Sequence, residues 1–178
     1  MSGNDSSQNI IIVGFMGTGK STVSRLLSDR LGWESVDTDE EIERVAGRSI
    51  KQIFSEDGEV IFRDWESKVI ENVLNQGKRV VATGGGAVLR ESNRRKMLAG
   101  GWVVALTADK QSLIRRVTSA AAAGTRPLLA GDAEERVTTL LETRRNAYDF
   151  AHVMVDTSKR SPSEVADLLI QWLPKPRG

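Results

Sequence analysis

The chain has 178 residues, a net charge of +1 and 39% hydrophobic residues, enough for one domain with a sizeable core and little room for a second. It contains no cysteine and one histidine, His152, which excludes disulfides, cysteine-ligated zinc and histidine-rich metal sites. Acids and bases nearly cancel, with no basic tail or stripe to suggest a nucleic-acid partner, no apolar run reaches the length of a membrane span, and the polar start is unlike an export signal, so a soluble cytoplasmic protein is expected.

Residues 1–8 read as a disordered leader, 9–173 as the folded domain and 174–178 as a flexible tail. The first element is an apolar β-branched run, residues 10–13, followed by Gly14-x-x-x-x-Gly19-Lys20-Ser21 and then by Val23, Leu26, Leu27 and Leu31 at helical spacing. Strand, glycine turn and helix in that order make a phosphate-binding P-loop, in which backbone N–H groups and a helix N-terminus surround the phosphates of a nucleotide. The glycines let the backbone turn and approach the ligand, Lys20 is placed to reach the β- and γ-phosphates, and the Ser21 hydroxyl is placed to ligate Mg²⁺.

Gly32 stops the first helix, and residues 33–37 read as a second strand ending in Asp37-Thr38-Asp39. Short amphipathic helices follow over 40–46, closed by Gly47, and 49–56, closed by Gly58. A longer helix is predicted over 60–75, with Phe62, Trp65, Val69 and Val73 on one face. Strand 79–83 runs into Gly84-Gly85-Gly86, and a helix over 91–99 leads to strand 102–106. Asp109 caps a helix carrying Leu113, Ile114 and Val117, which gives way to a small-residue stretch before Arg126-Pro127, a composition suited to a mobile flap. A helix over 132–148, a strand over 152–156 and a helix opened by the capping box Ser161-Pro162-Ser163-Glu164 complete the chain. Strands alternating with helices predict a three-layer α/β fold with a parallel sheet covered on both faces.

Several residues carry chemistry in this frame. Asp37 and Asp39 would share a face of the strand end, Asp37 reaching a Ser21-bound Mg²⁺ through water and Asp39 facing a second substrate; both aspartates also suit helix capping. Arg144 continues the apolar stripe of Val137, Leu140 and Leu141, a costly position for a guanidinium unless it is paired. Its partner is an acid elsewhere in the fold or an anionic ligand, and a carboxylate suits it through two parallel hydrogen bonds. Arg63 is divided between an exposed ion pair with Glu66, worth about 0.2–0.5 kcal/mol, and a functional role. Three consecutive glycines cost more backbone entropy than a turn requires, which points to close approach of a ligand. Arg126, beside a loose segment and a proline, is placed to swing toward a transferring phosphoryl group. His152 reads as structural.

Taken together, Gly-Phe-Met-Gly-Thr-Gly-Lys-Ser-Thr (14–22), Asp-Thr-Asp (37–39), Ile-Phe-Arg-Asp-Trp-Glu (61–66), Ala-Thr-Gly-Gly-Gly-Ala-Val (82–88), Arg-Pro-Leu-Leu (126–129) and Arg-x-x-x-Tyr (144–148) resemble the shikimate kinase family over residues 9–173. The resemblance implies a P-loop kinase fold with sheet order 2-3-1-4-5, acceptor-binding helices over 40–75 and a lid over 119–131. It implies a monomer that uses ATP and Mg²⁺ to phosphorylate the 3-hydroxyl of shikimate, on the route to chorismate and the aromatic amino acids. Gly17, Thr18, Gly19, Lys20, Ser21 and Thr22 would hold the ATP phosphates, Arg126 would be the lid arginine, Arg116 in preference to the alternative Arg115 would stack on the adenine, and Pro162 would meet its other side. Asp39 would bind the acceptor hydroxyls and serve as base, Arg63 and Arg144 would hold the carboxylate, Glu66 would orient Arg63, and Gly84, Gly85 and Gly86 would line the ring. A gluconate or nucleoside monophosphate kinase, a non-catalytic regulator and a nucleic-acid-stimulated ATPase are the competing readings. Two arginines for one carboxylate, the intact P-loop lysine and low aromatic content (5%) weigh against them in turn.

Overall fold

A computed structural model describes residues 8–122 and 133–175 of the chain. Strands β1 (Asn9–Gly14), β2 (Glu34–Asp37), β3 (Arg79–Ala82), β4 (Gly101–Thr107) and β5 (Val153–Asp156) form one sheet in the order β2-β3-β1-β4-β5. Every neighbouring pair is parallel; Ile11 of β1 lies level with Val81 of β3 and Val103 of β4.

β1 is buried along its whole length, as expected of a central strand with helices on both faces. Its side chains alternate between two cores. Ile11 and Val13 pack into one with Val69, Ile70 and Val73 of α4 (Glu59–Leu74), Met97 of α5 (Glu91–Gly100) and Val117 of α6 (Lys110–Ala122). Ile10 and Ile12 pack into the other with Val23 and Leu27 of α1 (Lys20–Leu31) and Val165 and Leu169 of α8 (Pro162–Trp172). Each such fully buried side chain contributes about 1.5–3 kcal/mol. The expected three-layer sandwich and its sheet order are therefore what the chain adopts.

The local stop signals act largely as expected. Gly32 and Gly47 close α1 and α2 (Thr38–Ala46) in the left-handed conformation. Ser49 and Ser161 make capping boxes for α3 (Ile50–Glu56) and α8. Gly58 differs: Asp57 closes α3, and Gly58 precedes α4 as its N-terminal cap residue. The buried face of α4 is Phe62, Glu66, Val69, Ile70 and Val73, with Trp65 only partly covered.

Two further expectations are corrected. α6 does not dissolve at Ala120 but runs to Ala122, in line with the high helix propensity of alanine. α7 (Ala133–Thr143) ends well before Tyr148, and residues 144–150 form successive turns. The Ala147 N–H bonds the Arg144 carbonyl at 3.0 Å, and the Ala151 N–H bonds the Tyr148 carbonyl at 3.2 Å. These three-residue closures tighten the chain, so Arg144 sits just past the helix rather than on its stripe. The lid segment from residue 123, with Arg126 and Pro127, lies outside the described residues, as do residues 1–7 of the leader and 176–178 of the tail.

Candidate active site

The carboxyl ends of β1, β2 and β3 open on one cleft, the position where open α/β sheets place their ligands. Gly14 closes β1 with φ 153°, and a Cβ there would lie 2.5 Å from the Leu106 carbonyl oxygen. No side chain fits between the loop and β4. The Thr18 hydroxyl donates to the Phe15 carbonyl at 2.8 Å and fixes the turn from within. Lys20 opens α1 and lays its ammonium over the loop, donating to the carbonyls of Gly14 (2.8 Å) and Phe15 (3.0 Å).

Asp37 ends β2 and caps α2. One carboxylate oxygen accepts the N–H groups of Asp39 (2.9 Å) and Glu40 (3.3 Å); the other accepts the Ser21 hydroxyl at 2.9 Å. The two aspartates are thus not paired on a strand. Asp37 caps, and Asp39 lies in the first turn of α2, its carboxylate against Gly84 in the turn after β3. Beside the Ser21–Asp37 pair is a cavity of about 130 Å³ also lined by Ser24, Ser35, Arg25 and Glu40. A hydroxyl, a carboxylate and room for water are an oxygen-donor set that fits Mg²⁺, which keeps several waters and takes one or two carboxylates.

The triple glycine after β3 is where the acceptor-side residues meet. A Cβ on Gly84 would lie 2.7 Å from Asp39 Oδ1, one on Gly85 3.1 Å from Arg144 Nη1, and one on Gly86 2.6 Å from Arg63 Nη1. Each glycine is therefore backed by one functional side chain, and any larger residue would push that side chain away. The Thr38 hydroxyl accepts the Gly84 N–H at 3.2 Å, and the Tyr148 hydroxyl donates to the Gly85 carbonyl at 2.8 Å.

Arg63 is not in an exposed ion pair. Its Nη1 donates to Glu66 Oε1 at 2.8 Å, and the two side chains are 13% and 1% exposed. Glu66 Oε2 is buried and has no hydrogen-bond partner among the described residues, and burial pushes the Glu66 carboxyl up against the opposing pull of Arg63 and Arg144. The Arg63 guanidinium also stacks over Phe62, 5.1 Å from the ring centre. Arg144 lies 5.9 Å from the ring centre of Phe15, the residue after Gly14. No carboxylate among the described residues forms an ion pair with Arg144. Of the acids in that set, Glu66 acts on Arg144 only from beyond ion-pair distance.

Asp39 faces these cations but is governed mainly by desolvation. Burial, helped by the charges of Asp37 and Glu66, pushes its carboxyl up to about 6, against the smaller pull of Lys20 and Arg63.

On the far side of the P-loop, Arg116 of α6 donates to the carbonyl of Gly17 (3.0 Å) and to the hydroxyl and carbonyl of Thr157 (3.0 and 2.8 Å). Arg115 instead bonds the Ser112 hydroxyl within its own helix. Pro162 is exposed at the first turn of α8, in the same turn region as Thr157. Thr157 was not legible as a site residue: a lone threonine after a strand has no sequence signature, yet its buried hydroxyl also lies within bonding distance of the Thr18 and Thr107 carbonyls. His152 is structural, its Nδ1 accepting the Val103 N–H at 2.9 Å.

A phosphate-binding loop facing a half-buried carboxylate and two guanidinium groups defines a P-loop small-molecule kinase. A family profile described as shikimate kinase matches residues 16–174. The shikimate kinase of Pelotomaculum thermopropionicum is 41% identical over 167 residues, 93% of this chain and 95% of its own; that of Streptomyces coelicolor is 43% identical over 157 residues, 88% and 90% of the two chains. Among solved structures, shikimate kinase from Acinetobacter baumannii in complex with shikimate is 35% identical, with a TM-score of 0.87 over 95% of this chain and 94% of that one. The chain belongs to the shikimate kinase family.

Proposed function

We propose that the enzyme transfers the γ-phosphoryl group of ATP to the 3-hydroxyl of shikimate, giving shikimate 3-phosphate and ADP. The observation that carries this reading is the convergence of Asp39, Arg144 and Arg63 on Gly84, Gly85 and Gly86, opposite the Lys20 ammonium. A hydroxylated ring bearing one carboxylate matches that wall in shape and charge, and the solved relative from Acinetobacter baumannii that holds shikimate supports it.

In this reading the P-loop amides from Gly17 to Thr22 and the Lys20 ammonium hold the phosphates. Arg116 and Pro162 flank the adenine, and Arg126 reaches the transferring group from the lid. Ser21 would ligate Mg²⁺ and Asp37 would reach it through water; the ion supplies charge neutralisation on the phosphate oxygens. Arg144 and Arg63 bind the carboxylate, with Glu66 holding Arg63 in line, while the glycine backbone accepts the ring closely. Asp39 takes the proton from the attacking hydroxyl. Its pKa of about 6 leaves it ionised at neutral pH yet more basic than an exposed aspartate, which suits a general base. Positioning and electrostatics supply most of the rate in such a transfer. The single domain is expected to work as a cytoplasmic monomer, with residues 119–131 as its lid.

ADP release should be measured with shikimate, quinate, gluconate and no acceptor. Release that depends on shikimate is expected; release independent of any acceptor, or driven equally by gluconate, refutes the assignment.

A further inference from the structure

Two adjacent glycines can exchange the direction of the peptide between them at little cost, because neither carries a Cβ to resist the rotation. The segment 84–86 therefore needs anchors. Gly84 has one on each side, its N–H on the Thr38 hydroxyl at 3.2 Å and its carbonyl on the Ala87 N–H at 3.1 Å. The Gly86 carbonyl accepts the Leu89 N–H at 3.1 Å. The Gly85–Gly86 peptide has no backbone anchor: its carbonyl is held by the Tyr148 hydroxyl, at 2.8 Å, and no acceptor among the described residues takes the Gly86 N–H. Because the peptide is planar and trans, fixing the carbonyl fixes the opposed N–H. Arg144 Nη1 lies 3.1 Å from the position of a Cβ on Gly85, so the guanidinium packs against the same glycine whose carbonyl Tyr148 holds. Tyr148 is buried against the core, and its ring cannot follow a wandering partner.

We propose that Tyr148 is a positioning residue for the acceptor: its hydroxyl locks the direction of the Gly85–Gly86 peptide, the backbone against which the Arg144 guanidinium packs. It acts through these groups rather than by touching the acceptor. The proposal rests on the assignment of this wall to the acceptor, and it adds a determinant of acceptor affinity that leaves the nucleotide side untouched.

The test uses the full chain with Tyr148→Phe, which keeps the ring in the core and removes only the oxygen. Tyr148 is the chain's only tyrosine, so uniform incorporation of 3-fluorotyrosine gives a second variant that keeps the donor and reports on this site alone by ¹⁹F resonance. Expected for the Phe variant are a KM for shikimate raised about tenfold, a KM for ATP and a kcat changed less than about threefold, and an amide resonance of Gly86 that broadens or splits in the ligand-free protein. The fluorotyrosine protein should keep the wild-type KM and a single sharp Gly86 amide. An unchanged KM for shikimate in the Phe variant overturns the proposal, as does a Gly86 amide that stays sharp and unshifted, or equal rises in both KM values. The ligand-free amide readout does not depend on the acceptor's identity. Turnover that never required shikimate in the wild type would instead refute the assignment of the reaction.

Discussion

Replacing Asp39 with asparagine should stop catalysis and stabilise the fold at the same time. Its carboxyl is raised from 3.8 to about 6, chiefly because the ionised form is desolvated in the folded protein and not in the unfolded chain. At about 1.36 kcal/mol per tenfold change, that displacement opposes the charged folded state by about 3 kcal/mol. The side chain is only half-buried, so solvent screening reduces the figure to about 2 kcal/mol. The sign follows from linkage. A folded-state pKa above the unfolded one means the folded state holds the extra proton between the two values, so stability falls as pH rises through that window. Above about pH 6 the cost is fully present, and Asp39→Asn removes it; below about pH 4 both states are protonated and the gain disappears. For a chain of this size 2 kcal/mol raises Tm by about 4–8 °C. Thermal unfolding of both proteins at pH 4 and pH 8, with ADP release at pH 8, measures both halves. A variant that is inactive but no more stable at pH 8 than the wild type would refute the claim that desolvation sets this carboxyl. Near-normal turnover would refute its role as base.

Arg144→Ala should raise the KM for shikimate roughly a hundredfold, about 3 kcal/mol of charge-assisted bonding, and leave the KM for ATP within about twofold. Gly86→Ala should fold, because the obstacle to its Cβ is the end of the Arg63 side chain, but it should displace that guanidinium and weaken shikimate about tenfold, as judged by titration calorimetry. Gly14→Ala meets the Leu106 carbonyl 2.5 Å away at φ 153°; backbone cannot yield as a side chain does, and a loss of more than about 3 kcal/mol in denaturant unfolding is expected. Ser21→Ala should raise the Mg²⁺ concentration for half-maximal activity about tenfold, and chelation should abolish turnover of the wild type.

The donor side of the cleft was legible because a P-loop is a local object. Its glycines, lysine and serine are consecutive, and the strand and helix that frame them announce themselves by their own periodicity. The acceptor side was legible only through a residue that looked out of place. Arg144 stood out as a charge continuing an apolar stripe, and that inference survives although α7 ends before it: the turns after Thr143 still carry the guanidinium inward. Glu66 could not be read this way. Three residues from Arg63, it has the spacing of a surface pair, and its burial to 1% is decided by where α4 meets the glycine turn after β3, a contact between segments distant in sequence.

The same distance explains why the triple glycine was understood only in part. The entropy argument correctly required something to approach the backbone closely, but it pictured a ligand alone. In the structure the tight approach comes first from Asp39, Arg144 and Arg63 themselves, each 3.1 Å or less from the Cβ position of a different glycine. The glycines therefore bring a base from the start of α2, a cation from α4 and a cation from the turn after α7 within reach of one small molecule. Each residue comes from a different element, and no periodicity within one element encodes their meeting point. What the sequence does encode is the absence of side chains there, and that absence lets three elements share one surface.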